Sequence, residues 1–199
     1  MKFGISTMDS RDRVRIGVRR EGQIADALRT QAGLELRDAT DDEDKGRQKI
    51  DRWLIRDGQS YGMQIKFRET GADILFEVFD TFHGFGDARN KRGRDMIGQA
   101  KYYTVLAQDG TTAYVVPVSV AHRLISQAME MIEEHGWTIV KKGGSVFKWF
   151  MNGCKIEIKL TTDPKDGRPK IIAFIPPDVF AAEQQVEVYK LNLKKLNAA

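Results

Sequence analysis

The sequence has very little cysteine and histidine, two residue types on which many small protein sites depend. Cys154 is the single cysteine, so no disulfide can form within the chain, and this composition fits a reducing cytoplasm. Histidine occurs only three times, and His83 has no second histidine near it at ligand spacing. We therefore do not expect a zinc site.

Long apolar runs and several common catalytic motifs are also missing. No apolar run approaches the length of a membrane span, and residues 1–4 lack the apolar core of a signal peptide, so we expect a soluble cytoplasmic protein with no membrane partner. There is no Gly-x-Gly-x-x-Gly motif, P-loop or Ser/His/Asp set. The sequence therefore gives no positive indication of nucleotide hydrolysis or acyl transfer.

Length and charge leave room for one well-packed core, alone or with an appended subdomain. The chain has 199 residues, of which 41% are hydrophobic and 30% charged. Its formal charge is +4 and its pI is about 9.1. A mildly basic protein can bind a polyanion, although many enzymes that act on small anions have the same balance.

Residues 61–68 alternate polar and apolar side chains at the period of a β-strand. Gln64 and Lys66 then share one face, while Met63, Ile65 and Phe67 point into a core. An amide and an ammonium side by side on a half-buried strand are costly to bury unless a ligand uses them. This pair therefore predicts a binding site.

An aspartate reaches the same place if the preceding residues form a hairpin. Residues 49–55 read as a strand that contains Asp51, and residues 56–60 are rich in turn formers. Asp51 would then lie beside Gln64 and Lys66, a set suited to a divalent cation and a phosphate. Asp44, in the acidic cluster of residues 41–44, is the alternative aspartate, but that cluster reads as a solvated loop.

At these residues the sequence resembles the PD-(D/E)xK nuclease superfamily, whose signature is an aspartate on one core strand and a (D/E/Q)-x-K triplet on the next. The matching residues are Asp51 and the triplet Gln64, Ile65 and Lys66. The glutamine variant is most similar to the Mrr-type and Holliday-junction-resolvase-like branches. A second triplet, at residues 157–159, has no acidic residue between Thr138 and Lys155 to complete it.

The resemblance implies a Mg²⁺-dependent DNA nuclease, with Mn²⁺ able to substitute, that leaves 5′-phosphate ends. Asp51, the Gln64 side-chain oxygen and the Ile65 carbonyl would hold the ion, and Lys66 would orient or deprotonate the attacking water. Glutamine in place of the usual glutamate removes a negative charge. Mg²⁺ should then bind more weakly, or another carboxylate should contribute more to holding the ion.

Glu21 is the candidate for that additional carboxylate. Residues 21–33 read as a helix that ends at Gly33, and in the resembled superfamily a glutamate of the first helix often joins the metal site. In the alternative interpretation, Glu21 in the first turn simply favours the helix dipole.

A second helix is predicted over residues 95–107, and it carries a pattern similar to the Q-x-x-x-Y element of RecB-like members of the superfamily. Gln99 and Tyr103 would lie on one face of that helix and contact a phosphate or orient the lysine. The alternative is that Tyr103 only packs. Lys101 of the same segment is a candidate contact to DNA.

Basic residues in three other segments are candidates for nucleic-acid contacts. The glycine-rich residues 81–94 could form a strap over DNA, or an ordinary surface loop, and the arginines of residues 11–20 could contact phosphates or belong to a frayed terminus. Lysines and aromatics of residues 141–159 could form a binding face. Alternatively, the lysines lie on the solvent-exposed side of a sheet and the aromatics form its core. The candidates in the strap are Arg89, Lys91, Arg92 and Arg94.

We therefore predict an α/β fold with a restriction-endonuclease-like αβββαβ core and a mixed central sheet, followed by a C-terminal antiparallel β extension. The core would span residues 1–120 and the extension residues 121–199, with a helical tail over residues 179–196 that frays or docks on a second copy in a homodimer. Two alternatives remain. One is a catalytically inactive nuclease-like module that binds DNA or a protein, and the other is an unrelated domain in which Asp51, Gln64 and Lys66 do not converge.

Overall fold

The structure, a computed structural model, describes residues 10–40, 50–67, 74–79, 100–107, 109–136, 138–140, 144–151, 153–162 and 169–193. Helices and strands alternate irregularly along these residues. The helices are α1 (Ser10–Gln31), α2 (Val118–His135) and α3 (Pro177–Ala181). The strands are β1 (Leu36–Asp38), β2 (Arg52–Arg56), β3 (Gln59–Lys66), β4 (Ile74–Phe79), β5 (Tyr102–Leu106), β6 (Thr112–Pro117), β7 (Thr138–Val140), β8 (Gly144–Met151), β9 (Cys154–Thr162), β10 (Pro169–Ile175) and β11 (Glu187–Lys190).

The central sheet has six strands in the order β1-β2-β3-β5-β6-β11. β3 and β5 run parallel, whereas the other neighbours run antiparallel. A parallel pair needs a long crossover connection, and residues 67–101 provide it. The prediction of an α/β protein with a mixed central sheet is confirmed.

The second sheet has five antiparallel strands in the order β4-β10-β9-β8-β7. The predicted C-terminal antiparallel sheet is thus confirmed for β7 to β10. β4 comes from the N-terminal segment and pairs with β10, while β11 comes from the C-terminal segment and pairs with β6. Each sheet therefore takes a strand from the other side of residue 120.

The hydrophobic core lies on both faces of the central sheet. On one face α1 packs through Ile24 and Leu28 against Leu54, Met63 and Ile65, all of which are buried. On the other face β5 and β6 share a larger cluster with α2, α3 and the inner side of the second sheet. The spacing of the buried α2 residues is that of one helical stripe, as the sequence predicts.

Three of the predicted elements are wrong. Residues 102–106, expected within a helix, form β5, because Tyr102, Tyr103, Thr104 and Val105 favour a strand. The tail expected to be helical forms α3 and the strand β11. α1 begins at Ser10, so Glu21 lies near the middle of the helix and not in its first turn.

Among the helices of the described ranges, none is long and apolar enough to cross a membrane.

Candidate active site

Asp51 lies at the edge of β3, at the point where β2 begins to pair. Arg52 is in register with Met63, and the backbone N–H of Asp51 donates to the Met63 carbonyl at 2.9 Å. The next N–H on this edge belongs to Ile65, and it donates to Asp51 Oδ2 at 2.6 Å. The carboxylate thus takes the place of the next ladder hydrogen bond, which fixes its position against the strand.

The carbonyl of Ile65 faces the same edge. In a strand the N–H and C=O of one residue point to the same side, and they alternate from residue to residue. The Gly62 carbonyl accordingly points to the other edge, where it accepts a hydrogen bond of 2.7 Å from the Lys101 N–H. Asp51 and the Ile65 carbonyl therefore present oxygen atoms to the same small region.

Lys66, the last residue of β3, brings a positive charge to this region. Its Nζ lies 3.8 Å from Asp51 Oδ2 and 3.6 Å from Oε1 of Glu21, which projects from α1. The side chains are partly accessible, at 37% for Lys66, 23% for Glu21 and 17% for Asp51. They are ordered by the fold and still open to a ligand.

Burial raises the pKa of the Glu21 carboxyl above its ordinary value of 4.5. The Lys66 ammonium and the Phe67 N–H oppose this rise, whereas the nearby Asp51 carboxylate adds to it. With all three side chains ionised, two carboxylates share one ammonium and the group keeps a negative charge. Such a group favours a cation, because the cation relieves the repulsion between the carboxylates.

The position of Glu21 also excludes one explanation for it. The helix dipole acts within the first turn, and α1 begins at Ser10, far from Glu21. A partly buried glutamate in the middle of a helix, turned toward another carboxylate, has no role in capping. The alternative interpretation of Glu21 is therefore wrong.

Gln64 and Tyr103 lie side by side in neighbouring strands. They are in register across β3 and β5, so their side chains share a face, and each is only 8% exposed. Tyr103 belongs to the core cluster around α2, on the face opposite to Ile65. The backbone of Gln64 thus lies next to the Asp51 site, because Gln64 directly precedes Ile65. Its side-chain amide, however, is buried beside Tyr103.

The expected helix-face arrangement of Gln99 and Tyr103 is wrong, because Tyr103 lies on a strand. Lys101 is exposed just before β5, where its backbone pairs with Gly62. The other predicted contacts lie outside the described residues. These are Gln99, Arg89, Lys91, Arg92, Arg94 and the alternative aspartate Asp44.

Gly62 supports the site in a way that the sequence interpretation missed. A Cβ built on Gly62 would lie 2.8 Å from Cδ1 and 2.9 Å from Cγ1 of Ile50, and 3.4 Å from the Cα of Ala100. Ile50 is fully buried and directly precedes Asp51. A lone glycine inside a strand pattern is the signal that would have indicated this close approach.

Arg20 and Phe67 form the rim of the site. The Arg20 guanidinium lies 5.9 Å from the centre of the Phe67 ring, and its Nη1 donates to Gln23 Oε1 at 3.1 Å. Both residues adjoin the charged cluster in sequence, since Arg20 precedes Glu21 and Phe67 follows Lys66. Arg20 therefore brings a further positive charge close to the charged cluster.

Comparisons with protein-family models, with curated proteins and with solved structures found no match. Within the described ranges, no three side chains from His, Cys, Asp and Glu gather into a metal-binding group. The oxygen donors at the site are the two carboxylates of Glu21 and Asp51 together with the Ile65 carbonyl.

Proposed function

We propose that this protein is a metal-dependent DNA nuclease, acting as an endonuclease, that hydrolyses phosphodiester bonds and leaves 5′-phosphate ends. One observation carries the proposal. The Lys66 ammonium, at the end of β3, lies 3.6 Å from Glu21 and 3.8 Å from Asp51. An unrelated domain with scattered surface residues gives no reason for these charges to converge.

The donor set suits a hard divalent cation such as Mg²⁺, with Mn²⁺ as a substitute. Glu21, Asp51 and the Ile65 carbonyl would hold it through oxygen atoms, and the Gln64 amide would join if its side chain turned toward Asp51. When bound, the ion polarises the scissile phosphate and lowers the pKa of a coordinated water. The remaining negative charge of the protein groups would balance part of the charge of the ion.

Lys66 would then act on the water and the phosphate. Its ammonium can hold the attacking water in line by a hydrogen bond, and as a free amine it can accept the proton from that water. In the protonated form it also offsets the charge that grows on the phosphate oxygens in the transition state. The hydrogen bond from Ile65 to Asp51 keeps the carboxylate in place during this step.

Binding to DNA would depend mainly on phosphate contacts. Arg15 and Arg19 are exposed on α1, in the part of the helix that precedes its buried face, and Arg20 lies at the rim of the site. Such contacts position a duplex without reading its sequence. A symmetric dimer would let two sites cut both strands.

The finer fold belongs to this proposal as well. The unit made of α1, the antiparallel strands β1 to β3 and the parallel strand β5 would be a restriction-endonuclease-like core. Its support is that Asp51, directly before β2, and Lys66, at the end of the adjacent β3, lie close together with a glutamate from the first helix beside them. Residues 1–120 would then hold the site, and the rest would be an extension packed on it.

The test is cleavage of labelled linear duplex, single-stranded, nicked, branched and supercoiled DNA with Mg²⁺, Mn²⁺ or EDTA. We expect metal-dependent cleavage that Lys66→Ala and Asp51→Ala each reduce by about a hundredfold or more. Asp57→Asn is the matched control, because it removes an exposed carboxylate from the turn at the other end of the same hairpin, at a positive φ that asparagine tolerates. Equal cleavage by Lys66→Ala and the wild type would overturn the proposal.

A second candidate is a nuclease-like protein that binds DNA without cutting it. The observation in its favour is that Gln64 stands where the resembled signature more commonly has an acidic residue, so the site has one carboxylate fewer. This candidate predicts that DNA is retarded in gels, with no cleavage in any metal and no effect of Lys66→Ala.

A further inference from the structure

The outer face of the second sheet combines basic and aromatic side chains. Side chains alternate along β8 and β9, and those that face away from α2 include Lys148, Phe150, Lys155 and Lys159. Phe150 is 67% exposed, one of the most exposed large apolar side chains among the described residues. The opposite side of these strands is apolar and buried through Phe147, Ile156 and Ile158.

Register places these side chains in adjoining rows. Phe150 lies opposite Lys155, Lys148 lies opposite Glu157, and Glu157 lies opposite Phe174 of β10. Lys155 and Lys159 are separated by about 13 Å along β9. Lys148 of β8 lies between them, because it is in register with Glu157. Positive charge therefore extends along the face beside an exposed ring.

Glu157 orders the lysines without neutralising them. Its oxygens lie 2.9 Å from Lys159 Nζ and 3.7 Å from Lys155 Nζ, and its side chain is only 16% exposed. Burial alone would raise the pKa of Glu157, but hydrogen bonding to Lys159 and the nearby charges of Lys155 and Lys148 hold it below its ordinary value. Three ammonium groups around one carboxylate leave an excess of positive charge that is open to solvent.

Phe174 of β10 holds one of the lysines in place. The Lys159 Nζ lies 4.6 Å from the centre of its ring, so the lysine is held above the ring by a cation–π contact. The contact fixes the Lys159 ammonium on the outer face of the sheet, while the exposed Phe150 supplies the free ring. This is the combination that single-stranded nucleic acid needs for base stacking and phosphate contact.

We propose that the outer face of β8, β9 and β10 binds single-stranded DNA, with Phe150 stacked on a base and Lys148, Lys155 and Lys159 on phosphates. A duplex keeps its bases stacked inside and offers none to Phe150. A second copy of this face would bring like charges together, which disfavours a symmetric contact. The choice of DNA over RNA rests on the proposed nuclease function, whereas binding at this face does not use Asp51 or Lys66.

The experiment is fluorescence anisotropy of a labelled oligothymidylate of about 20 nucleotides, measured in EDTA so that no metal-dependent cleavage occurs. We expect Phe150→Ala to raise Kd by about fivefold to a hundredfold, and Phe150→Tyr to stay within about twofold of the wild type, because tyrosine keeps the ring. Since Phe150 is exposed, neither change removes a core side chain.

Lysine variants test the electrostatic part. Lys148→Gln combined with Lys155→Gln should lower the slope of log Kd against log salt by about 1.4, because each phosphate contact to a single strand contributes about 0.7. Val188→Ala and Lys190→Gln are the controls, since both residues are exposed on β11 of the central sheet. Neither control should change Kd by more than about twofold.

Three results would overturn this inference. They are an unchanged Kd for Phe150→Ala, tighter binding of an oligouridylate of the same length than of the DNA, and a concentration-dependent dimer that Phe150→Ala dissolves. Failure of the nuclease proposal is separate, because it would appear as binding through Phe150 with no metal-dependent cleavage of any DNA. If the protein cleaves DNA in a metal-dependent way and Phe150→Ala leaves Kd unchanged, only the proposed single-strand site on the second sheet is refuted.

Discussion

Glu21 is the residue at which stability and the proposed activity oppose each other. Its pKa is raised in the folded protein, mainly by burial, so its contribution to stability is present below about pH 4.5 and is lost as the pH rises through the folded pKa. Glu21→Gln removes the charge that is costly to bury. We expect it to raise the thermal midpoint at pH 8 without metal, while cleavage falls about tenfold or more.

Thermal unfolding at several pH values checks this expectation. The difference between Glu21→Gln and the wild type should shrink toward zero below about pH 4.5, where both side chains are neutral. Saturating Mg²⁺ should raise the midpoint of the wild type more than that of the variant, because a ligand stabilises the state that binds it. A variant less stable than the wild type at pH 8 would show that the Lys66 ion pair outweighs the burial cost.

Gly62 lies against the side chain of Ile50, the residue that directly precedes Asp51. A methyl group at Gly62 would press on the buried Ile50 side chain at 2.8 Å, so Gly62→Ala should destabilise the protein by about 1–3 kcal/mol. The shift passes to the next residue, Asp51, and a displacement of this kind should lower kcat by about tenfold or more. Urea denaturation and single-turnover cleavage measure the two effects.

Gly17→Ala is the matched control for this substitution. Gly17 lies in α1, and a Cβ there would have nothing within 4 Å. Alanine favours a helix over glycine by up to about 1 kcal/mol, so Gly17→Ala should be neutral or stabilising and leave kcat unchanged. If Gly62→Ala behaved like Gly17→Ala, Ile50 would not be the support that we describe.

At the scale of elements, α1 divides into two parts with different surroundings. Among the α1 residues from Arg15 onward, whose burial is described, Ile24 is the first buried one, whereas Arg15, Val18 and Arg19 are exposed. We expect Arg15→Gln combined with Arg19→Gln to weaken duplex binding regardless of sequence and to lower the slope of log Kd against log salt by about 1.8. Electrophoretic mobility shifts at several salt concentrations measure both effects.

Arg123→Gln is the control for these arginines, because Arg123 is exposed on α2, where it pairs with Glu183 at 2.5 Å. It removes one positive charge from another helix, against two in the double variant, and its salt slope should match that of the wild type. A decrease of about 0.9 in this control, half of that in the double variant, would mean that net charge, and not the basic part of α1, governs binding.

The sequence predicted the strands of the hairpins well, because their signals are local. The alternation in residues 61–68 and the turn formers at residues 56–60 correctly indicated β2 and β3, and with them the meeting of Asp51 and Lys66. The helix predicted over residues 95–107 is wrong for residues 102–106, because their β-branched and aromatic content favours the strand β5. An aspartate at the start of a segment and a four-residue spacing fit any helix and are weak by themselves.

At the scale of the whole molecule, the pairing of distant strands could not be predicted. β4 leaves the central sheet for the second sheet, and β11 returns to pair with β6, although both are short segments without distinctive residues. Their partners lie about a hundred and about seventy residues away along the chain, where local patterns carry no information on pairing. The raised Glu21 pKa likewise depends on α1, β2 and β3 meeting, which the sequence only implied.

The return of β11 makes the C-terminal segment part of the central sheet. Glu187 forms an ion pair of 2.5 Å with Arg56 of β2, and Leu191 and Leu193 are buried in the α1 cluster. We expect a chain ending at residue 185 to lose about 3–6 kcal/mol from these two leucines alone, which is a large part of a typical stability of about 5–15 kcal/mol. Urea denaturation followed by circular dichroism would detect the loss.

A chain ending at residue 193 is the control, because it keeps β11 and both leucines. It should unfold like the full chain, in one transition, since β5, β6, α2 and the second sheet share one core cluster. The chain that ends at residue 185 should be unfolded in water, or should unfold in one transition at a much lower urea concentration than the full chain. Two separate transitions would mean that the two sheets fold independently. Equal midpoints for the two truncated chains would mean that β11 only covers an edge.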